Sequence, residues 1–439
     1  MTEIRPIDLP EKDVPLRSDV SLLGSLVGDV LADQHGRQLL DRVEAVRKAS
    51  IRSREGSGQY ESLDDALAGL EAQDAMLLIQ AFASYLRAVN LAEKVHRIRR
   101  RRAYQREGAS AQQGSLEAVL AELAAAGLDP EALADAINNL RIQPVFTAHP
   151  TEATRRTIQE KEYDIVLRLV ERLNPELTPG EEKLALQRIR AAITSSWQTR
   201  LVPHARPTVA DELDNILFYI TDILYRVVPA FYEAVEQAYQ GQFGDTPPGF
   251  LKRIILRFGS WVGGDMDGNP NVTSTTILET LARQRAVIIE RYQPDIRRLG
   301  RYLSQSETEI GISAGVINQL RRYRELLPDI SRSIPERHRE MPYRCLLKMV
   351  AGRLQATLED SGQGYSTAGE FAGDIRLIHD SLLENRGEHA GLFGIKRLLR
   401  RIETFGFHLV TLDVRQDALL HRRVMGELLG CTDWESRDP

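Results

Sequence analysis

Between Val20 and Ile51 apolar side chains recur every three or four residues, at Leu22, Leu23, Leu26, Val27, Val30 and Leu31 and again at Leu39, Leu40, Val43 and Val46. That period lines one face of a helix. The pattern returns from Asp64 to Leu91, and the linker REGASAQQGS then precedes two shorter helical stretches, LEAVLAELAAAG and PEALADAINNL. Gly127 closes the first and Pro130 opens the second, the usual placement of glycine after a helix and proline at its start. Residues 1–142 are therefore expected to form an N-terminal helical region.

After Leu140 the texture changes. Three short apolar runs each end in an abrupt polar motif: Gln143-PVFTA before HPTEATRRT, Arg253-IILRFGSWV before GGDMDGNP, and Phe405-GFHLVTL before DVRQD. Their length and their Val, Ile, Phe, Thr and Trp content suit buried strands. Helical stretches separate them, at about 152–173, 180–199, 209–240 and 273–327, then Arg344–Leu358 and Gly369–Asn385. Parallel strands need long crossovers, so this alternation predicts an α/β core. In a closed β/α barrel the functional residues stand where strands end and loops begin, and all three runs carry their unusual chemistry there. Residues 143–439 are expected to be the first part of such a barrel, with long helical insertions. Three strands leave it incomplete, and the others would come from a further segment.

With 42% hydrophobic and 27% charged residues, the chain has a soluble globular composition. A net charge of -5 and a pI near 6.1 give no overall attraction to nucleic acid or anionic membrane. Cys345 and Cys431 have neither disulfide-framework nor metal-site spacing, which predicts a reducing compartment. The N-terminus is polar and no run reads as long enough to span a membrane, so a cytoplasmic location is expected.

His149, in Thr147-Ala-His149-Pro150-Thr151-Glu152, leaves a strand end where an imidazole can act as acid, base or hydrogen-bond donor. Arg155 and Arg156 follow it and supply positive charge for an anion. A packed histidine at a strand–helix junction would be spelled the same way. In Gly259-Ser-Trp261-Val-Gly263-Gly264-Asp265-Met266-Asp267-Gly268-Asn269-Pro270 the glycines permit close backbone approach. Asp265, Asp267 and Asn269 open like a calcium loop, but Pro270 and Thr276 occupy the positions that need glycine and glutamate. A structural turn that lines a site fits equally well, with Trp261 as an apolar wall. Arg415, in Leu412-Asp413-Val414-Arg415-Gln416, presents a planar fork suited to phosphate or carboxylate, or pairs internally with Asp413. Five arginines at 97 and 99–102 point to a solvated or inter-subunit helix face rather than a nucleic-acid site.

Together, FTAHPTEATRRT, FGSWVGGDMDGNPNVT and FGFHLVTLDVRQD resemble the histidine signature, glycine-rich loop and substrate-arginine strand of the phosphoenolpyruvate carboxylase family. Asn90-LAEKVHRIRRRR and Met341-PYRCLL are similar to weaker family segments, and all follow in the family's order. The glycine-rich loop departs at Met266, where the family often has arginine. The resemblance implies a mostly α-helical protein with a β/α (TIM-type) barrel core, of which only the first strands are in this chain. It implies carboxylation of phosphoenolpyruvate by bicarbonate to oxaloacetate and phosphate, through carboxyphosphate and an enolate. By that likeness His149 takes the carboxyl proton of carboxyphosphate, Arg415 grips the phosphoryl group and Trp261 walls the pocket.

The family also implies Mg²⁺ or Mn²⁺, held by ligands in a C-terminal half, with no metal ligands expected in this chain. Small-molecule effectors and a homotetramer are further expectations, with neither nucleic acid nor membrane as a partner. Family members are roughly twice this length, so the chain is expected to be an N-terminal half, inactive alone. A non-catalytic helical assembly or binding module, and one subunit of a split enzyme, are the alternatives.

Overall fold

A computed structural model of the chain describes residues 10–55, 63–107, 111–147, 155–200, 208–431 and 434. Its contacts form two compact units, Met1–Gln112 with Glu152–Arg206, and Gln113–Thr151 with Pro207–Pro439.

The first unit is helical. The helices Val14–His35 and Arg37–Glu55 part at Gly36, so the apolar period of residues 20–51 belongs to two helices and not one. The long helix Ala72–Glu107 and the pair Arg156–Glu171 and Pro179–Trp197 complete the bundle, with the short helix Leu63–Leu67. Leu23, Val27, Val30 and Leu31 face Leu78, Ala81, Leu91 and Val95, with Ile165, Leu169, Ile189 and Trp197 in the same core. In one stretch the helix Ala72–Glu107 is long and apolar enough, by length and composition, to cross a membrane. That corrects the expectation that no run reaches such a length. One face of this helix, at Leu78, Ala81, Ala88, Leu91, Ala92 and Val95, is buried in the bundle, while Met76, Ile79 and Leu86 are exposed. Of the arginine run, Arg99 turns inward and donates to the buried Asp19 (2.6 Å), which Arg172 also approaches at 3.9 Å.

The second unit carries a parallel sheet of three short strands, β1 (Val145–Phe146), β2 (Gly259–Ser260) and β3 (Thr411–Leu412), in the order β1-β2-β3. Val145 stands beside Gly259 and Gly259 beside Thr411, and the next residues pair in the same register. All three runs read as strands do pair, over fewer residues than the runs span. In the third run the helix Leu392–Phe405 ends at Gly406, and a turn through Leu409 (φ 63°) intervenes before β3. Among the described residues these strands form an open sheet, not a closed barrel.

Around the sheet stand helices joined by one apolar core. Val209–Phe218 and Tyr225–Phe243 run on through the wider π turn Tyr219–Leu224. The stretch expected as one helix over 273–327 is two, Ser274–Tyr302 and Ala314–Leu326. Pro342–Leu358, Ala368–Glu384 and Leu392–Phe405 follow. The core includes one polar knot, in which Asp374, 3% exposed, accepts from the hydroxyls of Tyr323 and Tyr365 and from the Gln319 amide.

The grouping does not coincide with a cut at residue 142. Leu120, Leu133, Ala134 and Ile137, on the two short helices before β1, bury their apolar faces in the core of the second unit. Tyr239 fixes them there by donating to the Pro130 carbonyl (2.8 Å). Conversely, the two helices after β1 pack into the first unit.

Candidate active site

The polar motifs after β2 and β3 are laced together by the backbone. Trp261 N–H donates to the Phe146 carbonyl (2.9 Å), carrying the β1–β2 pairing one residue beyond the strands. The chain then turns, and the N–H groups of Gly264 and Asp265 both donate to the Trp261 carbonyl. Asp413 N–H donates to Ser260 (2.9 Å), Arg415 N–H to Gly264 (2.9 Å), and Met266 N–H returns to the Arg415 carbonyl (2.8 Å). Two glycines make this lacing sterically feasible. Gly263 has φ +84°, and a Cβ there would overlap the Thr280 hydroxyl. A Cβ on Gly264 would overlap the carbonyl oxygen of Asp413 and press on Leu412.

The lacing brings four side chains into one cluster. The guanidinium of Arg415 lies over the Trp261 ring, 3.8 Å from its centroid. Arg415 Nη1 donates to Asp265 Oδ2 (3.1 Å), and Trp261 Nε1 donates to Asp413 Oδ2 (3.2 Å). The internal Asp413–Arg415 pair considered from the sequence is therefore replaced by two other pairs. The cause is the parallel bridge between Asp265 and Arg415, which sets the loop carboxylate beside the guanidinium while the indole engages Asp413. The Arg415 side chain is 39% exposed, and among the described residues its remaining N–H groups have no protein partner. Such a cation, stacked and held on one side only, can take an anion on its open donors. Among the described residues, Asp265 Oδ1 is buried without a hydrogen-bond partner.

The other loop residues do different work. Asn269 Oδ1 accepts from Asn271 N–H (3.1 Å) and shapes the turn before the helix Ser274–Tyr302, while Asp267 is exposed. Arg155 and Arg156 belong to the first unit, at the start of the helix Arg156–Glu171. There Arg155 donates to the Arg200 carbonyl (3.0 Å) and Arg156 pairs with Glu160 (2.9 Å). His149 lies outside the described residues. The donors present do not fit a metal: among the described residues no group of three or more His, Cys, Asp or Glu is placed to hold one. What the sequence left unread is the part of Asp413, whose partner stands 152 positions away with no local signal.

A family model described as phosphoenolpyruvate carboxylase matches residues 16–437. A protein named phosphoenolpyruvate carboxylase from Xanthomonas oryzae pv. oryzae is 47% identical, over 97% of this chain and 47% of its own length. Proteins of that name from Paraburkholderia xenovorans and Nitrosomonas europaea are 35% and 33% identical, each over 95% of this chain. The chain spans about half the length of the curated relatives it matches. With its matching motifs in order along nearly all its length, this chain belongs to the phosphoenolpyruvate carboxylase family.

Proposed function

We propose that this chain is the N-terminal part of an enzyme that carboxylates phosphoenolpyruvate with bicarbonate, giving oxaloacetate and phosphate. The observation that carries the proposal is the stacked, half-open Arg415 beside Trp261, at the C-terminal ends of parallel strands in a chain of this family. In this reading Arg415 binds the phosphoryl group with the donors that Asp265 leaves open. The ring of Trp261 excludes water from the face where the carbanion-like enolate carbon would develop, and water there would quench it by protonation. His149 accepts the carboxyl proton of carboxyphosphate, a transfer suited to an imidazole near neutral pH. Asp265 fixes the arginine, and Asp267 and Asn269 shape the loop around it.

The three strands are proposed as the opening of a β/α barrel that a further segment completes, which their parallel, sequential order supports. The divalent ion that would stabilise an enolate is assigned to ligands in that segment. A cytoplasmic homotetramer responsive to small-molecule effectors, with no activity from this chain alone, completes the proposal. Oxaloacetate formation from phosphoenolpyruvate, with and without bicarbonate, tests it in two arms. One arm is this chain alone, and the other is the chain joined to the remaining length of a relative. Bicarbonate-dependent product in the joined protein is expected, and its absence from a folded joined protein overturns the proposal.

A further inference from the structure

We propose that Asp413 is a positioning residue. By accepting the Trp261 indole N–H it holds the ring beneath the Arg415 guanidinium and keeps its own carboxylate off that guanidinium. This rests on the reading of Arg415 as the anion grip.

The need for such a device follows from local charge. Of two nearby carboxylates, Asp265 is bonded to the guanidinium itself and Asp413 to the ring beneath it, two residues along the chain from Arg415. A fork gripped by both would be neutralised twice and have few donors left. Asp265 takes one Nη donor at 3.1 Å. Asp413 is instead held on three sides: its N–H donates to Ser260, its carbonyl is covered by Gly264, and its carboxylate is engaged by the indole. The indole N–H occupies Oδ2 of that carboxylate, and among the described residues the guanidinium bonds Asp265 and not Asp413. The indole's bond also fixes the ring's rotation, and the ring's flat face is what supports the guanidinium. One contact thus sets both the platform and the availability of the fork.

The test uses the joined, full-length enzyme and four variants. Asp413→Leu removes the acceptor at nearly constant size, while Asp413→Asn keeps a carbonyl for the indole. Trp261→Phe keeps a ring but frees Asp413, and Trp261→Phe with Asp413→Asn then removes the freed charge. KM for phosphoenolpyruvate is expected to rise about tenfold in D413L and in W261F, with kcat moving less than about threefold. D413N should stay within about threefold of the unaltered enzyme, and the double variant should recover at least about threefold over W261F. An unchanged KM in D413L, D413N as impaired as D413L, or no recovery in the double variant each overturns the role. If D413L does not fold by circular dichroism, the W261F pair decides alone. Failure of the carboxylase proposal looks different, since the unaltered enzyme would then form no bicarbonate-dependent oxaloacetate.

Discussion

Arg415 and Asp265 stand 150 positions apart in the chain and meet at 3.1 Å, Nη1 to Oδ2, across the ends of two neighbouring strands. The pair holds one side of a planar cation whose face rests on Trp261. Charge alone does not reproduce that arrangement. Arg415→Lys keeps the charge but loses the fork and the flat stack, so KM for phosphoenolpyruvate should rise about tenfold or more in the full-length enzyme. Steady-state kinetics at saturating bicarbonate checks this, and an unaltered KM would remove Arg415 from substrate binding.

His149→Asn separates binding from chemistry. The amide preserves polar size but cannot accept a proton near neutral pH. Oxaloacetate formation should be abolished while phosphoenolpyruvate binding, followed by calorimetry, persists. Near-normal turnover would sink the proton-acceptor role.

Gly264→Ala tests the lacing of the two strand ends. Its new methyl would overlap the Asp413 carbonyl and force the loop away from the segment after β3. A loss of about 1–3 kcal/mol in stability is expected by urea denaturation, as for other overpacked sites. An unchanged midpoint would mean that the backbone yields there freely.

The buried tyrosines of the second unit predict alkaline sensitivity. The Tyr323 hydroxyl is pushed up to about 12, first by burial and then by the Asp374 carboxylate beside it. Tyr365 and Tyr225 are raised well above the ordinary tyrosine range by burial and then by Asp374 and Asp295 respectively. In each the neutral form is favoured by folding. The stability they contribute is complete below pH 10, the ordinary tyrosine value, and falls as pH rises through the folded value. The urea midpoint should decline between pH 10 and pH 12, and less steeply in Tyr323→Phe. A midpoint flat across that window would contradict the shift.

In the first unit, Asp19→Ala should cost about 2–3 kcal/mol of stability by thermal unfolding, because Arg99 would lose its carboxylate partner while Arg172 keeps Glu182. Arg97→Ala, on the exposed side of the same helix, should shift stability by less than about 0.5 kcal/mol. Equal effects would show that the inward arginine carries no special load.

Local order was legible wherever a residue's neighbours lie within a turn or two. The apolar period predicted the buried faces at Leu23, Val27, Val30, Leu31, Val43 and Val46. It missed the helix Leu392–Phe405, although Leu392, Ile395, Leu398, Ile402 and Phe405 carry the period, because the apolar run beginning at Phe405 suggested a strand. The break after Tyr302 also went unread, since polar residues there continue a plausible helical pattern.

Taken by itself, the sequence determined the helical faces, the three strand runs and the family, all carried by short-range period or contiguous motif. Tertiary structure decided which helices share a core, and that Arg415 pairs with Asp265 while Asp413 serves Trp261. The physical reason is range. Periodicity and turn chemistry act over a few residues, whereas an ion pair is chosen by whichever carboxylate the sheet register brings within hydrogen-bond reach. Here that carboxylate stood 150 positions away, while Asp413, two positions off, was already taken by the indole.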